Sequence, residues 1–367
     1  MNRTIIQDLW DTIAGRRKTR SADAPPLVAA DLVRLSRDLL SGRGEASGVK
    51  LARDLLQAYE RASEADRQDF LVALTHDFGP DETRLERAIE AYQDRRSLST
   101  MAELSAASEP FRQEVLRRLN HAPGGTAALV RMREDLLAGL EADSDLAALD
   151  ADFQHLFASW FNRGFLVLRR IDWTTPANIL AKIIRYEAVH TIQSWDDLRN
   201  RLEPPDRRCF AFFHPQMADE PLVFVEVALT RDMSSAIGPL LDINRTAISA
   251  GDATTAVFYS ISNCQRGLKG VTFGNFLIKQ VVEELKRDLP GLRTFVTLSP
   301  APGFMAWLRR ELSGSASYFI AGEDAVALAD AAAGKAATTS PEAVRKALLS
   351  AAAAYFLGGK TAGGRPI

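Results

Sequence analysis

Cysteine is almost absent from this chain of 367 residues, which has only Cys209 and Cys264, far apart in sequence. The pair matches no metal-ligand spacing and cannot frame a disulfide-stapled fold. A reduced compartment, the cytoplasm, is therefore expected. An excess of charge of either sign is also lacking. Lys and Arg number 45 against 47 Asp and Glu, a formal net charge of -2. No global basic field points to nucleic acid or an anionic membrane, although a local basic pocket for a phosphorylated ligand stays open. Long apolar runs are missing, and nothing approaches the roughly 18 residues that a membrane span needs. Arg16, Arg17, Lys18 and Arg20 are followed by no apolar core, which does not fit a secretory signal, and Asp8 and Asp11 oppose an organellar transit peptide. Arg365-Pro366-Ile367 is not a peroxisomal tripeptide.

What is present is ordinary globular material, 46% hydrophobic and 25% charged, long enough for two domains with real cores. Up to Phe161 the apolar residues recur at spacings of three and four. Helices are expected over Leu27 to Leu40, Val49 to Ala62, Asp66 to Phe78, Met101 to Leu119, Thr126 to Leu140 and Leu146 to Phe161. Gly79-Pro80-Asp81-Glu82 stops one helix and starts another, with acids in its first turn. These make an antiparallel helical bundle, residues 1–161.

After Gly164 the texture changes. Strands are expected at Phe165 to Ile171, Cys209 to Phe213, Leu222 to Leu229, Thr255 to Ser262 and Leu292 to Leu298. Helices are expected at Pro176 to Val189, Trp195 to Leu202, Phe273 to Arg287 and Phe304 to Leu312. Antiparallel strands followed by strand–helix–strand predict a mixed α/β sheet, and the whole an α+β protein. Beyond Ser315 the chain is Ala-rich and helical, over Ala325 to Ala333 and Pro341 to Leu357, with 334–340 as a flexible link.

The most informative stretch runs from Ala256 to Asn275: a β-branched and aromatic strand, a Gly-spaced loop, then an amphipathic helix. Glycines let a backbone approach a ligand closely, and a helix start offers free N–H groups and a positive dipole end. Together they suit a diphosphate, with Arg266 and Lys269 adding charge. The alternative is a plain strand–turn–helix connection. The loop lacks both common nucleotide-loop patterns. Its spacing, Gln265-x-Gly267-x-x-Gly270-x-x-x-Gly274, resembles a degenerate pyrophosphate loop of the GNAT acyltransferases. Candidate ligand residues are Gln265, Arg266, Gly267, Leu268, Lys269, Gly270 and Gly274.

A second stretch, Leu298-Ser299-Pro300-Ala301-Pro302-Gly303-Phe304 between a strand and a helix, resembles the malonyl-CoA decarboxylase family. So do Glu220-Pro221-Leu222-Val223, Val227 to Thr230, Phe258 to Ser262, Gly274 to Lys279, Trp160-Phe161 and Glu187 to His190. The resemblance covers both halves. It implies a helical oligomerisation domain, then a GNAT-like catalytic domain at 162–367. It also implies conversion of malonyl-CoA to acetyl-CoA and carbon dioxide in malonate and fatty-acid metabolism, without metal or cofactor, in a homodimer or homotetramer. The family's catalytic serine corresponds to Ser299, which by itself also reads as a capping or turn serine. Ser260 matches another active-site position and also reads as a satisfied core hydroxyl. Thr272 stands where some members have a glutamate, so no carboxylate role carries over.

The family's histidine segment has no counterpart before Ile367, so a chain shortened at its C-terminus is expected. His76, His121 and His155 read as packing or surface residues of the bundle, His190 as the C-terminal cap of a helix, and His214 as a turn residue near a cleft. Two rival readings remain open, a GNAT-type acyltransferase and a non-catalytic CoA-binding protein.

Overall fold

The structure is a computed structural model that describes residues 28–41, 45–140, 145–271, 276–301, 303–313, 320, 322–332 and 341–358. Gly274, Thr272, the 334–340 link and the segment after Gly358 fall outside the described residues. The chain divides into two compact units, with the boundary between Leu298 and Ser299.

Among the described residues the first unit begins with eight helices: α1 (Ala29–Leu40), α2 (Glu45–Arg61), α3 (Glu64–Asp77), α4 (Glu82–Asp94), α5 (Leu98–Ala107), α6 (Phe111–Asn120), α7 (Gly125–Gly139) and α8 (Leu146–Trp160). Local chemistry sets their starts. The side chains of Ser63 and Asp81 accept the amides of Asp66 and Arg84, and Ser97 with Thr100 forms a capping box. The expected helix over Met101 to Leu119 is two helices. Pro110 sits at the start of α6, and a proline disfavours helical geometry in the residue before it. The freed amides of Phe111 and Arg112 bond to the carbonyls of Gly79 and Phe78.

A five-stranded sheet follows, in spatial order β1 (Val167–Ile171), β2 (Arg207–Phe213), β3 (Pro221–Thr230), β4 (Thr255–Asn263) and β5 (Thr294–Thr297). The first three pairings are antiparallel and β4–β5 is parallel. Helices α9 (Ala177–Tyr186) and α10 (Trp195–Leu202) lie between β1 and β2, a short α11 (Gly238–Leu241) between β3 and β4, and α12 (Phe276–Asp288) makes the crossover to β5. β1 is shorter than expected because Phe165 belongs to a 3₁₀ turn capped by Asn162. α9 stops at Tyr186 instead of reaching Val189. The Glu187 carboxylate turns back to accept the amides of Val189 and His190, so His190 is not in a last helical turn.

Two features of β4 matter for the site. Its pairing with β5 ends at Phe258–Thr297, while β4 continues to Asn263. Its pairing with β3 slips by one residue: Glu226 faces Ser260 and Val227 faces Phe258, leaving Tyr259 as a bulge. One face of the sheet, with Phe210, Phe212, Val225, Val227, Phe258 and the α12 residues Leu277, Val281 and Leu285, shares a continuous core with the N-terminal helices.

The second unit holds α13 (Phe304–Ser313), α14 (Gly322–Ala332) and α15 (Pro341–Gly358) around Trp307, Leu308, Ala327, Leu328, Ala347 and Tyr355. Gly303 has φ +82° just before α13, and a side chain there would press on the Tyr355 hydroxyl. Among the described residues no helix is long and apolar enough to cross a membrane.

Candidate functional site

The expected ligand loop follows β4 directly. Arg266–Leu268 is a 3₁₀ turn, and Gly270 adopts φ +84°, which favours glycine. Gly267 and Leu268 are buried, whereas Arg266, Lys269 and Gly270 are exposed. Gly267 is glycine for a protein contact: a Cβ there would collide with the Val130 carbonyl of α7. Several loop groups are already engaged. The Gly267 amide donates to Glu134, and the amides of Leu268, Lys269 and Val271 close turns on the carbonyls of Gln265, Arg266 and Leu268. The Gln265 side chain donates to the Pro221 carbonyl at 2.9 Å. Arg266 and Lys269 are exposed, and among the described residues the Gly270 amide has no acceptor.

The face of the sheet opposite the shared core is polar where β3 and β4 meet. Ser260, 1% exposed, places its hydroxyl 2.8 Å from both oxygens of the buried Glu187 carboxylate. Ser262 donates to the same carboxylate at 3.2 Å. With the amides of Val189 and His190, these donors saturate Glu187. Opposite Ser260 lies Glu226, fully buried and 3.2 Å from Arg201, which Asp197 also holds at 3.0 Å. Burial pushes the Glu226 carboxyl up from its ordinary 4.5 to about 8; Arg201 opposes that rise and Glu187 adds to it. Glu226 is thus mostly a neutral acid near pH 7. Among the described residues neither its Oε1 nor the Tyr259 hydroxyl has a hydrogen-bond partner. Burial also raises the thiols of Cys209 and Cys264, which keeps them protonated and unreactive.

Ser299 is exposed immediately after β5, at the start of the second unit. It caps no helix, since α13 begins at Phe304 and its first turn bonds to the carbonyls of Ala301 and Gly303. His214 is a buried turn residue: its Nδ1 accepts the Gln216 amide at 3.2 Å and its ring packs on Phe161. Burial lowers its pKa. Sequence reasoning missed Glu187, Glu226 and Arg201. Charged residues in a helix end and an otherwise apolar strand were the available signal; Glu226 interrupts the run from Leu222 to Leu229.

These features define a class, an α+β protein in which a helical region and a mixed sheet share a core and the last strand pair is parallel. Comparison with known proteins narrows it. Residues 164–367 match the malonyl-CoA decarboxylase C-terminal domain, and residues 78–161 match the malonyl-CoA decarboxylase N-terminal domain. The chain belongs to the malonyl-CoA decarboxylase family. The mitochondrial malonyl-CoA decarboxylase of Anser anser anser is 38% identical over 268 residues, 68% of this chain and 53% of that protein. Its counterpart in Mus musculus is 36% identical over 275 residues, 70% of this chain and 55% of the relative. The chain thus spans about half the length of these curated relatives. The crystal structure of malonyl-CoA decarboxylase from Rhodopseudomonas palustris superposes with a TM-score of 0.86 at 58% identity, over 93% of this chain and 84% of that one. That from Agrobacterium vitis gives 0.84 at 54% identity, over 92% and 83%.

Proposed function

We propose that this chain binds malonyl-CoA and releases acetyl-CoA and carbon dioxide, acting in the cytoplasm without a metal or redox cofactor. The observation that carries the reading is family membership extending through both the helical and the sheet regions. The loop after β4 supports it, with two exposed cations and a glycine amide that has no acceptor among the described residues where a diphosphate is expected. The chemistry needs no external electron sink. When the bond from Cα to the carboxylate breaks, its electron pair moves into the thioester carbonyl as an enolate. A proton returned to Cα then gives acetyl-CoA. Ser299 engages the malonyl carboxylate or the proton donor, and Ser260 belongs to the supporting polar cluster through Glu187. The helices up to Phe161 mediate self-association, and residues 162–367 form the catalytic domain.

The test is incubation with malonyl-CoA and no acceptor, following acetyl-CoA. Product is expected. Tight CoA binding without product points to the non-catalytic reading, and product only with an added amine points to an acyltransferase. Where turnover is measurable, Ser299→Ala lowers it by roughly 10²–10⁴ with little change in CoA affinity; unchanged turnover removes the role from Ser299.

A further inference from the structure

The N-terminal helices grip the loop most firmly through a buried arginine. Arg133 on α7 is 1% exposed, and its charge is paired with Asp150 of α8 at 2.8 Å. The same guanidinium donates to two loop carbonyls, Gly267 O at 2.7 Å and Lys269 O at 2.8 Å. A buried arginine fork that takes two carbonyls and one carboxylate fixes a backbone in both position and rotation. The close approach of Gly267 to the Val130 carbonyl, and the bond from its amide to Glu134, anchor the same turn to α7.

Rotation is the informative part. In a trans peptide the carbonyl of one residue and the amide of the next point in opposite directions, and the chain has no cis bond among the described residues. Holding Lys269 O on Arg133 therefore turns the Gly270 N–H away from α7. That amide finds no acceptor among the described residues, and it lies between the exposed Lys269 and the start of α12. Gly270 tolerates the arrangement because its φ is +84°.

We infer that Arg133 is a positioning residue for the coenzyme: by gripping the loop carbonyls from the helical region, it aims the Gly270 amide and the Lys269 side chain at the ligand's diphosphate. The inference rests on the CoA-binding reading and deepens it. It makes the helical region part of the coenzyme site.

The test uses the full chain and CoA as the probe. Binding is measured by calorimetry, and hydrogen exchange is followed over residues 265–271 in parallel. Arg133→Lys keeps the charge but replaces the planar fork with one ammonium. It should speed loop exchange while β2 to β4 stay protected, and weaken CoA binding roughly tenfold, about the loss of one charged hydrogen bond. Arg133→Ala should be weaker still, and added guanidinium should restore part of its affinity, which a general loss of packing would not allow. Should the Arg133 variants fail to fold, Asp150→Asn leaves the arginine in place and should move both readouts the same way by less. Unchanged loop exchange, or a freed loop with unchanged CoA affinity, overturns the inference and spares the CoA reading. Wild-type protein that does not bind CoA overturns the reading, and the inference falls with it.

Discussion

Along β4, neighbouring residues meet two different environments. Ala256, Phe258 and Ile261 face the large core shared with α12 and the N-terminal helices. Val257, Tyr259, Ser260 and Ser262 face the other way, toward Glu187, Glu226 and the helix carrying Arg201. The first face is held by area and dispersion, which depend little on pH. The second is held by charge-assisted hydrogen bonds in a dry setting, where each unpaired atom is costly. One sheet therefore combines a part that resists change of volume with a part that resists change of protonation.

The largest expected effect breaks the apolar side. Phe258→Ala should cost about 3–5 kcal/mol in urea unfolding, by lost transfer energy and a residual cavity, with the same loss at pH 6 and pH 9. A strongly pH-dependent loss would mean that the faces are not separable. The next sharpens the polar side. Glu226 holds its proton up to about 8 in the fold but releases it near 4.5 when unfolded. Between those values the folded state binds more protons, so stability falls as pH rises through that window. Glu226→Gln removes this slope: the variant should match wild type near pH 4.5 and exceed it by about 2–4 kcal/mol above pH 8. A wild-type stability flat across the window contradicts a neutral Glu226. The smallest effect probes the link between the carboxylates. Glu187→Gln should cost about 1–2 kcal/mol through weakened bonds to Ser260 and Ser262. It should also move the Glu226 transition to lower pH, because a neighbouring negative charge is gone. A transition that stays in place would show the two groups to be uncoupled.

The alternation of apolar residues and the punctuation by Gly and Pro made most of the fold legible. Trp195–Leu202 forms over the expected residues, and the mixed order of the sheet follows from three antiparallel pairings and one helical crossover. The errors lie where a side chain overrides the pattern: Pro110 splits a helix, and the Glu187 carboxylate ends another early. At the candidate site, the loop's location was readable, but one reason for its glycines was not. Gly267 reads as ligand-facing by spacing, yet it touches Val130, more than a hundred residues earlier. Contacts of that separation leave no local signature. The same holds for Arg133, which looks like any surface arginine of an amphipathic helix until the loop is placed on it.

The bulge at Tyr259 carries a consequence for how the gene tolerates insertion and loss. Because one surplus residue sits in β4, Tyr259 and Ser260 project to the same side in succession. Removing a single codon there would restore regular pairing and leave every other strand intact. It would also take away either the phenol or the hydroxyl that meets Glu187. A lineage could thus keep the sheet while losing one polar side chain beside Glu187 and Glu226 in one step, and a β4 one residue shorter would be the mark of that event among related chains.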